Sequence, residues 1–425
     1  MIRWITPQLA TGAWDTVSAT EDLVIIDVRA LVDRDGNTPQ LVRAKIDETL
    51  AQLRLGRKVV ICCDYGMSRS NAVAAGVLAC SEGLSVEEAT RRIIEATRET
   101  AIRIELLEAV RQAIGAKPAT EALEGKIRLL ITGAAGFVGS AVRRLLRPEY
   151  EIVTPTRTEV DLVKGATPLH LACNLQSANT LLHLATPRVY TTNEAMGESI
   201  VMLKNVLDVC ATNRIRLIYL SSWEVFSGYQ ARELRADENF APRPGGTYGQ
   251  AKMLSEQLIQ HFHHKHGLEY TILRSSPAYG VHGDRPKFIW NFLHAAIRGD
   301  DITTHRYRNG SPHLDLLHVD DLARAVCASI DRRYIGVLNL GTGVATSTSD
   351  VAQWLVTRLG SKSKLRFADI EGFASNVVMD TRHAQAILGW TPAKHLNEGL
   401  EEIVQRKLEA NIDAFEVHHG EFSAQ

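Results

Sequence analysis

No apolar run in this chain approaches the ~20 residues needed to cross a bilayer. The opening segment "MIRWITPQLATG" also lacks the basic-then-apolar plan of a secretory leader. A cytoplasmic protein without a membrane partner is therefore expected. Neither sign of charge dominates: 48 Lys and Arg stand against 49 Asp and Glu. That balance removes the electrostatic basis for binding nucleic acid or an anionic surface. Cysteine is scarce and scattered, six residues in all, with Cys62 and Cys63 adjacent. Such usage excludes a disulfide framework and suits a reducing compartment. Low-complexity tracts and internal repeats are absent, so no repeat architecture organises the chain. What is present is a 45% hydrophobic fraction spread over 425 residues. That is too much chain for one ordinary core, and two or three domains are expected.

Periodicity divides the chain in two. "LVIIDV" and "KVVICC" read as strands, and "LVRAKIDETLAQL", "SNAVAAGVLAC", "SVEEATRRIIEATR" and "RIELLEAVRQAI" as helices. "GAKPATEALEGK" has no period and reads as a linker. The expected boundaries are a first domain over 1–116, a linker over 117–126 and a second domain over 127–425. In the second, "IRLLIT", "EIVTPT", "TLLHLA", "RLIYLS", "EYTILR" and "GVLNLG" alternate with helical stretches. The fold class is therefore α/β, with a doubly wound parallel sheet covered by helices on both faces.

The first domain carries "VVICCDYGMSRSNAV", a strand end, a loop and a helix start. Consecutive backbone N–H groups at a helix N-terminus donate to a phosphate. An Arg fork adds a fixed charge that reaches two oxygens. A thiolate at the base of the loop, its pKa lowered by the same groups, is placed to attack phosphorus. Cys63 and Arg69 have the spacing for this, Gly66 lets the loop turn, and Ser70 is placed to hydrogen-bond the sulfur. These residues resemble the dual-specificity and related cysteine-dependent phosphatases, in which a His-Cys pair is followed by five residues, Arg, and Ser or Thr. The resemblance implies phosphomonoester hydrolysis and a general-acid Asp on an upstream loop. In "LVDRDGNTP" the Asp-Gly turn before Pro39 makes Asp35 the first choice and Asp33 the second. Cys62 stands where the family usually has His, a departure that bears on turnover.

The second domain opens with "IRLLITGAAGFVGSAVRRLL", in which Gly133, Gly136 and Gly139 are spaced for a tight turn, a close pyrophosphate and close helix packing. Ser221 and Ser222 end a later strand in "LIYLSSWEVFSG". Tyr248 and Lys252 in "TYGQAKMLSEQL" share a helix face. A free tyrosine titrates near ~10, too high for a base at neutral pH. A neighbouring ammonium and a positively charged nicotinamide are together expected to bring Tyr248 down. These motifs, with "TILRSSPAYG", "LDLLHVDDLARAV" and "DTRHAQAILGWTP", resemble the extended short-chain dehydrogenase/reductases of the epimerase/dehydratase type. The resemblance implies Ser222, Tyr248 and Lys252 as the catalytic trio. It implies Gly133, Gly136, Phe137, Val138, Gly139, Ala185, Tyr248 and Lys252 around a nicotinamide dinucleotide, with Asp161 and Leu162 near its adenine. It also implies a small C-terminal substrate-binding subdomain on the Rossmann sheet, and a homodimer through helices that include the Tyr248 helix.

In "EIVTPTRTEVDL" no acid follows the second strand, and Arg157 suits a 2′-phosphate, which favours NADP over NAD. Trp223 replaces the Asp of an Asp-Glu pair found in related dehydratases, while Glu224 remains. Full 4,6-dehydration is thus disfavoured, leaving epimerisation or carbonyl reduction of a nucleotide sugar or sugar phosphate. Leu314 stands where many relatives have Arg before the "HVDD" segment, and Arg306 and Arg308 are candidates to replace it. "HFHHKHG" falls near a helix end and lacks the ligand set of a zinc site, so no metal is expected. Two rival readings keep one half without chemistry of its own. In one, the loop is a phosphate- or phosphoprotein-binding regulatory module for the oxidoreductase. In the other, a nucleotide-sensing Rossmann domain is attached to a protein-tyrosine phosphatase.

Overall fold

The computed structural model describes residues 2–19, 22–34, 36–99, 102–115, 126–175, 177–187, 189–283 and 286–420. The expected linker, save Lys126, lies outside them. The first domain is a four-stranded sheet built from β1 (Arg3–Trp4), β2 (Leu9–Ala13), β3 (Leu23–Asp27) and β4 (Lys58–Cys63), in the order β1-β2-β4-β3. β2 and β3 run parallel to β4, whose buried run Val59–Cys63 is the apolar stretch expected of a central strand. Helices α1 (Pro39–Arg54), α2 (Arg69–Glu82), α3 (Val86–Thr97) and α4 (Ile104–Ala113) cover it. Thr38 and Ser85 cap α1 and α3 through their hydroxyls. Residues 69–79 of α2 are all buried. Small side chains are required there, since a Cβ on Gly76 would lie 2.5 Å from Ile46 Cδ1 of α1.

The second domain is built on β5 (Arg128–Thr132), β6 (Glu151–Val153), β7 (Thr180–His183), β8 (Arg216–Ser222), a short β9 (Leu234–Ala236) and β10 (Tyr270–Ser275). After β11 (Ala278–Tyr279), β12 (Ile302–Tyr307), β13 (His313–Leu314) and β14 (Leu317–His318), the sheet is completed by β15 (Gly336–Leu340). The order is β15-β10-β8-β7-β5-β6, all parallel. The chain reverses direction across the sheet between β5 and β7, so a crevice opens outside their carboxyl ends. β6 is shorter than "EIVTPT" suggests, because Pro155 cannot donate to a ladder. α5 (Phe137–Leu145), α6 (Thr167–Leu175), α7 (Asn193–Asn213) and α8 (Thr247–His266) flank the sheet with α10 (Val319–Asp331). β18 (Val377–Met379) pairs with β9, and α12 (Arg382–Leu388) packs on the sheet's core through Ala384 and Leu388, while a smaller lobe gathers α9 (Lys287–Arg298), β16 (Thr346–Ser347), α11 (Thr348–Leu359), β17 (Leu365–Ile370) and α13 (Leu396–Gly420). Its core holds Ile289, Leu293, Leu355 and Ile403. α13 continues to Gly420, so the first half of "EVHHGEFSAQ", which reads in sequence as a frayed end, is helical.

The two domains are joined by more than sequence. Ile104 of α4 packs in the same apolar cluster as Leu130, Leu207 and Leu217 of the second domain. Beside it Arg111, almost fully buried, reaches Glu87 at 2.9 Å, Glu108 at 3.1 Å and the Thr212 carbonyl at 3.3 Å. Arg214, which ends α7 at φ +52°, meets Glu87 at 3.2 Å and Glu108 at 3.3 Å. Lys265, from the "HFHHKHG" segment, pairs with Glu105 at 2.8 Å. No group of His, Cys, Asp and Glu among the described residues is arranged to hold a metal, and none of their helices is long and apolar enough to cross a membrane.

Candidate functional site

The glycine-rich turn is shaped by backbone contact. Gly133 has φ +76°, and a Cβ there would lie 2.6 Å from the Ala185 nitrogen. A Cβ on Gly139 would lie 2.4 Å from the Gly133 oxygen, and one on Gly136 3.2 Å from it. The absence of side chains lets β5, β7 and α5 close up and leaves the N-terminus of α5 facing a cavity of about 360 Å³. Gly133, Gly136, Arg157, Asp161, Leu162 and Ala185 line it. This cradle fits a dinucleotide pyrophosphate. Gly139 serves the packing of α5, Tyr248 lines the next cavity with Lys252 behind it, and Phe137 and Val138 also sit elsewhere. Val138 faces the neighbouring cavity, and Phe137 packs against Gly283 so closely that a Cβ there would meet its ring at 2.8 Å.

That neighbouring cavity, about 390 Å³, brings together Ser222, Trp223, Glu224, Tyr248, Lys287 and Leu314. Ser222 ends β8, and its Oγ accepts from the Glu224 N–H at 3.2 Å. Gly249 lets the first turn of α8 lie on the 3-10 turn Trp223–Phe226, since a Cβ there would sit 2.3 Å from the Glu224 carbonyl oxygen. The contact brings Tyr248 and Ser222 to one wall. Tyr190 packs its ring 4.8 Å from that of Tyr248. Lys252 lies behind, donating to the Leu220 carbonyl at 2.7 Å and the Tyr219 hydroxyl at 3.2 Å, with Nζ 5.5 Å from the Tyr248 ring centre.

Burial pushes the Tyr248 phenol up, and Lys252 opposes that only in part, so the ammonium alone does not bring this tyrosine into the working range. Burial likewise raises the Glu224 carboxyl against the pull of Lys252. His183, which bonds Thr132 Oγ1 at 2.7 Å, is pushed down to about 3 by burial and by Lys252, so it stays neutral beneath the site.

The Cys63 loop is equally constrained. Gly66 has φ +68°, and a Cβ there would lie 2.5 Å from the Gly12 carbonyl carbon. Its N–H donates to Cys63 Sγ at 3.2 Å, and Ser70 Oγ lies 3.4 Å from the sulfur. Arg3 pins the loop through the Gly66 carbonyl at 3.0 Å. Burial pushes the Cys63 thiol up, but hydrogen bonds from Ser70 and from the Met67 and Gly66 N–H groups outweigh it and hold the thiol below its ordinary range. Cys62 is buried and pushed up to about 11, so it is a neutral neighbour of Cys63. Replacing Ser70 by Ala is expected to move the pH midpoint of Cys63 alkylation by iodoacetamide upward, and an unmoved midpoint would refute the role given to its hydroxyl. Arg69 gives Nη1 to the Arg29 and Leu31 carbonyls, both at 3.2 Å. Its Nε lies 3.1 Å from Asp33, and its Nη2 pairs with Asp64. The structure thus brings Asp33 to the loop, whereas Asp35 lies outside the described residues.

Residues 129–341, half of the chain, match the model of the NAD dependent epimerase/dehydratase family. The chain belongs to that family. A putative UDP-glucose 4-epimerase of Methanocaldococcus jannaschii is 25% identical over 301 residues, covering 65% of this chain and 97% of the relative. UDP-glucuronic acid decarboxylase 1 of Danio rerio is 24% identical over 307 residues, 65% of this chain and 72% of the relative. Among solved structures, MoeE5 in complex with UDP-glucuronic acid and NAD superposes with a TM-score of 0.56 at 25% identity, covering 67% of this chain and 99% of that one. The UDP-glucose 4-epimerase of Thermus thermophilus, in complex with NAD, gives 0.58 at 22% identity, over 66% and 98%.

Within the NAD dependent epimerase/dehydratase domain, the late motifs serve as a clamp. Asp321 of "HVDD" accepts from the Ala393 and Lys394 N–H groups at 3.0 and 2.9 Å. The Trp390 indole donates to its carbonyl at 3.0 Å. Asp315 likewise gathers Thr342, Gly343 and Met379. The proposed stand-ins for the missing Arg are not at the cavity. Arg306 lies 3.9 Å from Asp369 and Arg308 pairs with Glu371 at 2.5 Å, both on the exposed β12 and β17 side. Lys287, at the first turn of α9, lines the cavity instead. Sequence reasoning passed over it because its neighbours match no catalytic motif.

Proposed function

We propose that the second domain is an NAD(P)-dependent epimerase or reductase acting on a nucleotide sugar or sugar phosphate. The observation that carries this is one cavity holding Ser222, Tyr248 and Glu224, with Lys252 behind the tyrosine and the dinucleotide cradle adjoining. When bound, the dinucleotide supplies a hydride acceptor and donor. Ser222 holds the reacting oxygen by hydrogen bond, Tyr248 takes and returns its proton, and Lys252 orients the tyrosine and the cofactor ribose. Nucleotide sugars are favoured because relatives and neighbours bear UDP-sugar names. Arg157 supports NADP. Glu159, two residues on, is taken up by Thr156 at 2.7 and 2.8 Å. Arg157→Ala is expected to weaken NADP binding about tenfold or more while sparing NAD, the scale of one charged hydrogen bond; equal losses in a fluorescence titration would refute the assignment.

The first domain, 1–116, is proposed to be a cysteine-dependent phosphomonoester phosphatase, supported by the lowered Cys63 thiol with Ser70 and Arg69 around it. Asp33 is the described candidate acid. A binding-only module is the rival; phosphocysteine trapped after incubation with an aryl phosphate separates the two. A homodimer through α7 and α8 is supported by the exposed Val201 and Leu254, and the solution mass tests it.

A further inference from the structure

A bidentate phosphoryl group needs one free edge of an Arg fork. On Arg69 no complete edge is open. Nη1 is committed to two carbonyls and Nη2 is paired with Asp64, while the buried Nε makes no hydrogen bond although Asp33 lies 3.1 Å away. The Nε and Nη2 edge, the one a planar acceptor takes, thus carries two carboxylates from separate segments. Asp33 comes from the loop after β3. Asp64 is the residue directly after Cys63, inside the phosphate loop itself, and its side chain is half exposed. One guanidinium and two carboxylates sum to a charge of minus one. A dianion entering beside them meets net repulsion unless a carboxylate leaves. Asp64 holds the hydrogen bond on that edge, so it is the one that has to leave. It makes no other hydrogen bond among those described, and its exposed side opens to water.

We propose that Asp64 is a seat-holder: its carboxylate occupies the Arg69 edge in the resting enzyme and must be displaced by the incoming phosphoryl group. Asp64 is then a specificity-determining residue. It keeps Arg69 aimed across the loop and sets a threshold that weak oxyanions do not pass. Ligands that carry further contacts outside the loop supply what displacement costs. Small inorganic oxyanions do not, so they bind poorly. Tyr65 and Met67 on the same loop, and Trp14 with Arg29 stacked 3.8 Å over its ring, are exposed and offer such contacts to a bulky phosphomonoester.

This rests on reading the Cys63 loop as a phosphoryl seat, and the test keeps the two apart. The probe is tungstate, measured by calorimetry on the full chain carrying Cys63→Ser, which removes thiol chemistry. The expected result is weak binding, tightened about tenfold or more when Asp64→Asn is added, with Asp64→Ser as a second variant of different shape. Unchanged affinity in both variants overturns the seat-holder and leaves the seat standing. No binding in any of the three proteins overturns the phosphoryl seat and the seat-holder together. Circular dichroism and dinucleotide binding by the second domain establish that each variant is folded.

Discussion

Replacing Tyr248 by Phe is expected to lower sugar-linked hydride turnover by about 10²–10⁴-fold, the range for losing a positioned acid–base group. Dinucleotide affinity should hold, because the cradle at Gly133, Gly136 and Arg157 is a separate cavity from the one Tyr248 lines. The structure adds a reason to expect the upper part of that range. Burial raises the Tyr248 phenol and also raises Glu224 beside it. Two weakly acidic groups then face one cavity, with the Lys252 ammonium behind them held by Leu220 and Tyr219. Phe keeps the packing against Tyr190 and removes only the hydroxyl. Turnover that persists at the parent rate in Tyr248→Phe, with a panel of UDP-sugars and either dinucleotide, would remove the tyrosine from the mechanism.

Replacing Cys63 by Ser is expected to lower hydrolysis of an aryl phosphate by about 10⁴-fold or more, the scale on which a lost covalent nucleophile is felt. The loop should survive, since a serine oxygen can still accept from the Gly66 N–H that now reaches the sulfur at 3.2 Å. Hydride turnover in the other domain is expected to be unaffected. Hydrolysis that survives the change would leave the first domain a binding module, and the lowered thiol would then have no catalytic meaning.

The sequence made local features legible and non-local ones not. Gly133, Gly136 and Gly139 could be read because each meets backbone close to it in the fold's repeating strand-turn-helix unit. Tyr248 and Lys252 could be read because four residues on a helix is a fixed geometry. The tuning of Tyr248 could not, since burial is a sum over distant elements that no spacing reports. Arg306 and Arg308 misled for a related reason: proximity in the chain to Leu314 says nothing about which side of β12 faces the cavity. Asp64 stood in plain view five residues before Arg69. Its engagement depends on Asp33 and two carbonyls arriving from the loop after β3, which fix how the guanidinium is turned. Ile104 and Arg111 read as parts of an ordinary amphipathic helix, and nothing in that pattern says that they serve another domain's core.

That docking has a thermodynamic consequence. With Ile104 inside the second domain's apolar cluster and Arg111 and Arg214 sharing Glu87 and Glu108, neither half can unfold without stripping the other of buried contacts. Their stabilities are therefore linked. A dinucleotide at 100 times its dissociation constant stabilises the domain it binds by about 2.7 kcal/mol. Part of that reaches the Cys63 loop, though the ligand never touches it. The cofactor pool of the cell would thus set how long the Cys63 domain survives heat or proteolysis.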